Sequence, residues 1–292
     1  MNQGELERLM ALNYAVGNAL KGKKPKDPGF EYAETLAGKL FQHALTAYAL
    51  WTQNTRLEIP GIDPVNFVDW SSIEVLARSC IETYIACHYV FLKPSTADEA
   101  DFRYNAWMLA GFVRRESFPI VTQKGQQQIV SDARTNERHR RKIKRTVTFG
   151  NLPANLQKAV LRGLTWHPGV TMSEMADTVF GPKWGRALYA VMSSHAHADG
   201  LSAVQIKQAV VEGAMPKLAA IAMTEIGVIL AHMTASYSRK FVAAGKAYRG
   251  HPDRGLNDLY ANLANYAPKL IGDHADLLRN STARSGEPTM SQ

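Results

Sequence analysis

Apolar residues recur at three- and four-residue steps along nearly the whole chain. Over residues 30–52 they fall at Phe30, Ala33, Leu36, Ala37, Leu40, Phe41, Ala44, Leu45, Tyr48 and Trp51, one stripe of a 3.6-residue period, which predicts an amphipathic helix. The same spacing predicts helices over about 3–20, 71–93, 97–116, 122–145, 154–163, 172–180, 183–198, 203–246 and 253–271, broken at Pro28, Pro60 to Pro64, Pro94, Pro119, Pro153, Pro168 and Pro182. No segment alternates apolar and polar residues between hairpin turns. The expectation is an all-α fold, a multi-helix bundle of about ten helices with no sheet of any size. Thr171-Met172-Ser173-Glu174 has the form of a capping box, and Ser95 or Thr96 can cap the helix that follows Pro94. Breaks and composition suggest a helical pair over 1–60, a main bundle over 61–275 and a polar, disordered tail over 276–292.

Composition narrows the class. A chain of 292 residues that is 46% apolar and 21% charged is neither collagen-like, nor disordered, nor a small disulfide scaffold. Cys80 and Cys87 lie seven apart on one predicted helix, ~10 Å of rise, too far for a disulfide, and a reducing cytoplasm is expected. The first residues lack the apolar core of a secretion signal. The most apolar stretch, 218–231, contains Glu225 and falls short of the ~20 residues of a membrane span, so a buried core helix is expected and no membrane partner. The balance of 34 basic against 26 acidic residues, a net +8, favours polyanionic partners. Nothing speaks against a homo-oligomer.

Helix 71–93 carries apolar residues in nearly every direction, the pattern of a central buried helix, yet holds Arg78 and Glu82 one turn apart. They form either an ion pair tying helices together or a buried acid and base facing a cleft. On helix 183–198, Tyr189, Ser193 and His197 recur every four residues and project from one face, whereas His195 points elsewhere. Glu225 and His232 lie about two turns apart on a third apolar segment, and Glu225 is a candidate partner for Arg78 or His197. His195-Ala196-His197-Ala198-Asp199 copies most of a metallo-hydrolase signature, but Gly200 stands at its last position and a helix sends the two histidines apart. With no Glu-x-x-His pair, P-loop or GxGxxG, neither metal nor cofactor is indicated.

The stretches ARSCIETYI and Trp166 through TMSEMADTVFG to YAVMSSHAHADG resemble a large family of bacterial helical proteins known only as a domain of unknown function, sometimes placed near the HEPN-type nuclease and toxin bundles. The matched positions are Arg78, Glu82, Trp166, Tyr189, Ser193 and His197, over roughly residues 65–235. The resemblance implies an all-helical bundle in which these side chains converge and no established reaction; the expected function is that of a HEPN-like protein of nucleic-acid-linked stress or defence, with a metal-independent RNase or toxin as its enzymatic form. HEPN nucleases carry an arginine, four to six residues, then a histidine; Arg186 stands too far before His197 to supply it, while Arg134 and His139 meet the spacing by composition.

Residues 138–145, RHRRKIKR, hold Arg138, Arg140, Arg141, Lys142, Lys144 and Arg145. On a helix these point in all directions, and no aromatic residue is interleaved before Phe149, so the segment is expected to be plain solvated surface, to touch RNA or DNA phosphates without reading bases, or to meet an acidic protein partner. Two functional classes stand: an RNase-like enzyme built on Arg78, Glu82, Tyr189, Ser193 and His197, and a non-catalytic helical scaffold in which that set is structural.

Overall fold

The computed structural model describes residues 1–23, 29–53, 55–57, 60, 65–182, 184–196 and 200–262. Among them are thirteen α-helices and two three-residue strands, so the chain is all-α. The strands, β1 (Thr55–Leu57) and β2 (Val65–Phe67), pair antiparallel as a ribbon with Arg56 opposite Asn66. The expected tail over 276–292 and the end of the expected helix 253–271 lie outside the described residues.

The contacts divide the chain into two units whose limits differ from the expected 1–60 and 61–275. One draws its described residues from Met1–Lys26, Glu31–Ile85 and Met172–Gln292, and the other from Asp27–Phe30 and Ala86–Thr171. In the first unit α1 (Gln3–Asn18) packs on the long α11 (Met215–Lys240) and on α12 (Val242–Gly250), and it also meets α2 (Phe30–Thr52), where Gln3 Nε2 donates to the Tyr48 hydroxyl at 3.0 Å and the Tyr14 and Phe41 rings lie 5.9 Å apart. The helix expected over 203–246 is three helices. α10 (Gly200–Val211) ends at Gly213, whose φ of 65° stops it, α11 has Pro216 in its first turn where a missing amide costs nothing, and the extended Phe241 separates α11 from α12. With 26 residues α11 is long and apolar enough to cross a membrane, longer than the 14-residue stretch seen in sequence, and 83% of its most apolar window is buried among the other helices, as in a core helix.

Helix α3 (Trp70–Cys87) starts where Asp69 Oδ1 accepts from the Ser72 amide at 3.0 Å, and it widens into a π-helical turn, His88–Leu92, before Pro94. Within the first unit it runs beside α11, where the Tyr84 hydroxyl donates to the His232 carbonyl at 3.2 Å and bonds Ser236 Oγ at 2.9 Å. α8 (Met172–Phe180) lies so close on α9 (Trp184–Ala196) that a Cβ on Gly185 would meet the Ala176 carbonyl oxygen at 2.1 Å. α13 (Arg254–Ala261) completes this unit against α11.

In the second unit α4 (Ala97–Glu116) and α5 (Gln123–Lys144) form an antiparallel hairpin, closed by α6 (Val147–Gly150) and α7 (Ala154–Leu161). Its core joins Phe102, Ala106, Leu109, Ile143, Phe149 and Val160. Thr96 caps α4 by accepting from the Glu99 amide, and Asp98 caps α6 by accepting from the Val147 and Thr148 amides, each at 2.9 Å.

Candidate functional site

Three polar arrangements carry the sequence-predicted residues. In the first unit α3 and α9 run antiparallel, and the face of α3 formed by Trp70, Glu74, Arg78 and Glu82 meets α9. The Arg78 guanidinium lies 3.5 Å from the centre of the Tyr189 ring, donates to the Tyr189 carbonyl at 3.1 Å and pairs with Glu82 Oε1 at 2.8 Å. Arg78, Glu82 and Tyr189 therefore do converge. Glu82 is not buried, however: its side chain is 47% exposed against 9% for Arg78, because the apolar residues around α3 leave this direction open to water. Ser193 sits half-buried one turn beyond Tyr189, with no hydrogen bond to Arg78 or Glu82 among the described residues, and His197 lies outside them. Trp166 belongs to the second unit.

The second arrangement is deeper in the same unit and was missed in sequence. Glu74 and Glu225 are 0% and 1% exposed. Trp70 Nε1 donates to Glu74 Oε1 at 3.0 Å, and the His195 ring stands edge-on to the Trp70 ring at 4.6 Å. Burial pushes the Glu74 carboxyl well above its ordinary range against the pull of the Trp70 hydrogen bond, and burial followed by the negative charge of Glu74 pushes Glu225 up as well. Glu225, expected beside Arg78 or His197, thus has another acid as its electrostatic neighbour. The signal was present, since Glu74 lies one turn before Arg78 on the same helix face. His232, expected to share a face with Glu225, packs its ring against Phe180 at 4.8 Å. Among the described residues no group of three His, Cys, Asp or Glu could hold a metal ion.

The third arrangement is α5. Its buried residues are Asp132, Asn136, His139 and Ile143, a stripe that is polar for three of its four positions. Asp132 accepts a bidentate pair from Arg115 at 2.6 and 2.5 Å, Asn136 donates to Glu116 at 2.6 Å, and His139 Nδ1 bonds Asn105 Oδ1 at 2.8 Å. Burial opposes ionisation at Asp132, but hydrogen bonds from Arg115 and Gln128 outweigh it and hold the carboxyl below its usual range. Burial and then the charges of Lys142 and Arg138 push His139 down, toward the neutral ring. His139 lies stacked on Phe112 at 5.8 Å and is buried, whereas Arg134 is exposed, so the two do not form a common site.

The basic residues of α5 do not point in all directions. At about 100° per residue, Arg134, Arg138, Arg141 and Arg145 fall within ~60° of one another, nearly opposite the buried stripe. All four are exposed, and none is within ion-pair distance of a carboxylate among the described residues. Lys142 and Lys144 flank this line. Arg140 departs from it: its Nε donates to the Leu161 carbonyl at 2.9 Å and its Nη1 pairs with Glu137 at 2.8 Å, so it braces the hairpin. Arg134 was outside the expected segment, and its place in the line shows only once the buried stripe fixes the helix orientation.

Residues 86–171 hold 14 Lys and Arg against 6 Asp and Glu, a surplus of 8, while the remaining residues hold 20 of each. The whole net charge of the chain is confined to this segment. Comparison of the chain with protein-family models, curated proteins and solved structures returns no match.

Proposed function

We propose that the chain is a nucleic-acid-binding protein that grips the phosphate backbone through α5. The observation that carries this reading is the line of four exposed arginines, Arg134, Arg138, Arg141 and Arg145, set opposite the buried stripe in the segment that holds the entire charge surplus. At 1.5 Å per residue the line is ~16 Å long, the length of four to five phosphates of one strand at ~3.4 Å each. Such contacts position a backbone and carry no sequence preference. The test is fluorescence anisotropy with labelled RNA and DNA between 50 and 200 mM salt. Four neutralised phosphates give a slope of about −3, a loss of roughly 50-fold over that range. A variant with Arg134, Arg138, Arg141 and Arg145 all changed to Gln should keep its melting temperature and lose most of the slope. Absence of binding at 50 mM salt, or a slope that survives the fourfold change, overturns the reading.

For Arg78, Glu82 and Tyr189 a packing role is the better supported of the two sequence readings. The Tyr189 ring already covers one face of the Arg78 guanidinium, and the Tyr189 carbonyl and the Glu82 carboxylate already take its Nη1 and Nη2 edges.

A further inference from the structure

The second unit contains a groove of about 690 Å³ between the end of α4 and the segment after α7. One wall is built from Trp107, Phe112, Arg114 and Arg115, and the other from Leu164 and Trp166. Its walls are close because Gly163, at φ 69°, lets the loop lie on α4: a Cβ there would meet Val113 Cγ2 at 2.7 Å. Trp107, Phe112 and Trp166 are half-buried, so each ring is anchored on one side and still lines the opening. Trp166 is held edge-on by Tyr89 at 5.6 Å, and Trp107 by Phe91 at 5.6 Å. A space of this size lined by anchored indoles accepts a flat aromatic group.

The groove is joined to α5 on both sides. Arg115, in the α4 wall, stacks on Phe112 at 4.9 Å and is locked to Asp132 of α5, while Arg140 of α5 holds the Leu161 carbonyl just before the other wall. Arg114 at the rim is exposed and has no carboxylate partner among the described residues. A cationic rim, an aromatic interior and a line of arginines on the outer face of the adjoining α5 complement one chemistry, a base attached to a phosphate backbone. A paired and stacked base cannot enter such a groove, since its faces are covered by its neighbours.

We infer that this groove receives an unstacked base of a single-stranded nucleic acid whose backbone lies along α5. The inference rests on the proposed α5 contact and narrows its ligand from nucleic acid in general to single strands. Stacking of one base on an aromatic side chain changes affinity by about 5- to 150-fold.

The experiment uses the full chain with a 12-nucleotide single-stranded RNA and a hairpin duplex of equal charge, read by anisotropy, with tryptophan fluorescence followed in parallel. Trp107→Leu should weaken the single strand by about tenfold and leave the duplex and the salt slope unchanged. Leu164→Glu, on a side chain 65% exposed and therefore harmless to folding, should weaken the single strand in the same selective way and serves if the tryptophan variant melts early. Equal losses for strand and duplex, or no loss in the Leu164→Glu variant, overturn the groove while leaving the α5 contact standing. Binding of neither nucleic acid fails the α5 contact itself. Adenosine monophosphate is the control for a free nucleotide: quenching by it at concentrations where the strand gives none would make the site a mononucleotide pocket and overturn the inference.

Discussion

Replacing Glu74 by Gln should stabilise the protein at alkaline pH and change little in acid. The Glu74 and Glu225 carboxyls are 0% and 1% exposed and raise each other's cost of ionising. Taking one carboxylate out of water costs several kcal/mol after relaxation, and the charge-assisted bond from Trp70 returns about 1.5–3 kcal/mol. An ionised Glu74 therefore weighs on the fold by about 2–4 kcal/mol. Both carboxyls are raised from an ordinary 4.5, so the folded chain keeps protons that the unfolded chain has released. Stability is then complete below pH about 4.5 and falls as pH rises from there through the folded values. The amide introduced by Glu74→Gln keeps an oxygen for the Trp70 indole and nearly the same volume, but removes one titrating group. The expected gain is about 2–4 kcal/mol at pH 8 and near zero at pH 4, read as urea midpoints at pH 4, 6 and 8 with unchanged slopes. A wild-type stability that does not decline between pH 5 and 8, or a Glu74→Gln variant weaker by the same amount at every pH, would refute the reasoning, because Glu74 would then be a paired carboxylate.

Glu82→Ala should cost only about 0.5–1 kcal/mol in a thermal melt, since Glu82 is half exposed and Arg78 keeps its ring and carbonyl partners. Asn105→Ala should cost about 1–3 kcal/mol by denaturant titration, because it strips the buried His139 ring of its partner. Gly163→Ala should destabilise by at least ~1 kcal/mol, as it adds a Cβ at positive φ against Val113; a melt equal to wild type would show that the loop yields freely. Cys80 and Cys87 are buried, with thiols pushed up to about 12, so neither should react with a thiol reagent at pH 8 until the protein is unfolded.

Helical periodicity located ten helical segments because most helices here have an apolar stripe, and it failed where that signal is degenerate. The run from 203 to 246 reads as one helix since apolar residues continue through it, although Gly213 and Pro216 are the local chemistry of a stop and a start. In α3 the apolar residues of every direction implied burial of Glu82, but that pattern reports side-chain type and not which directions other helices occupy. Glu74, on the same face, is the buried one. The nearness of Glu225 to Glu74 was illegible for a related reason: it depends on helix register across 151 residues of sequence, which no local pattern reports.

For α5 the difficulty was the reverse. Its inner face is Asp132, Asn136, His139 and Ile143, so no apolar stripe marks the orientation of the helix in the sequence and the cations have no evident face. Once the stripe is fixed, the acids of residues 86–171 explain the rest. Asp98 caps α6, Glu99 pairs with Arg103, Glu116 accepts from Asn136, Asp132 holds Arg115 and Glu137 holds Arg140. Five of the six acids in the segment are thus committed to internal contacts, and they neutralise Arg103, Arg115 and Arg140 while leaving Arg134, Arg138, Arg141 and Arg145 without an ion-pair partner among the described residues. Like charges at four- and three-residue spacing on one helix face destabilise it by about 0.2–0.5 kcal/mol per pair. Glu137 stands one turn before Arg141 but is paired with Arg140, so the repulsion along the line is not offset by an ion pair among the described residues, and an anion laid along the arginines, as proposed above, would remove it.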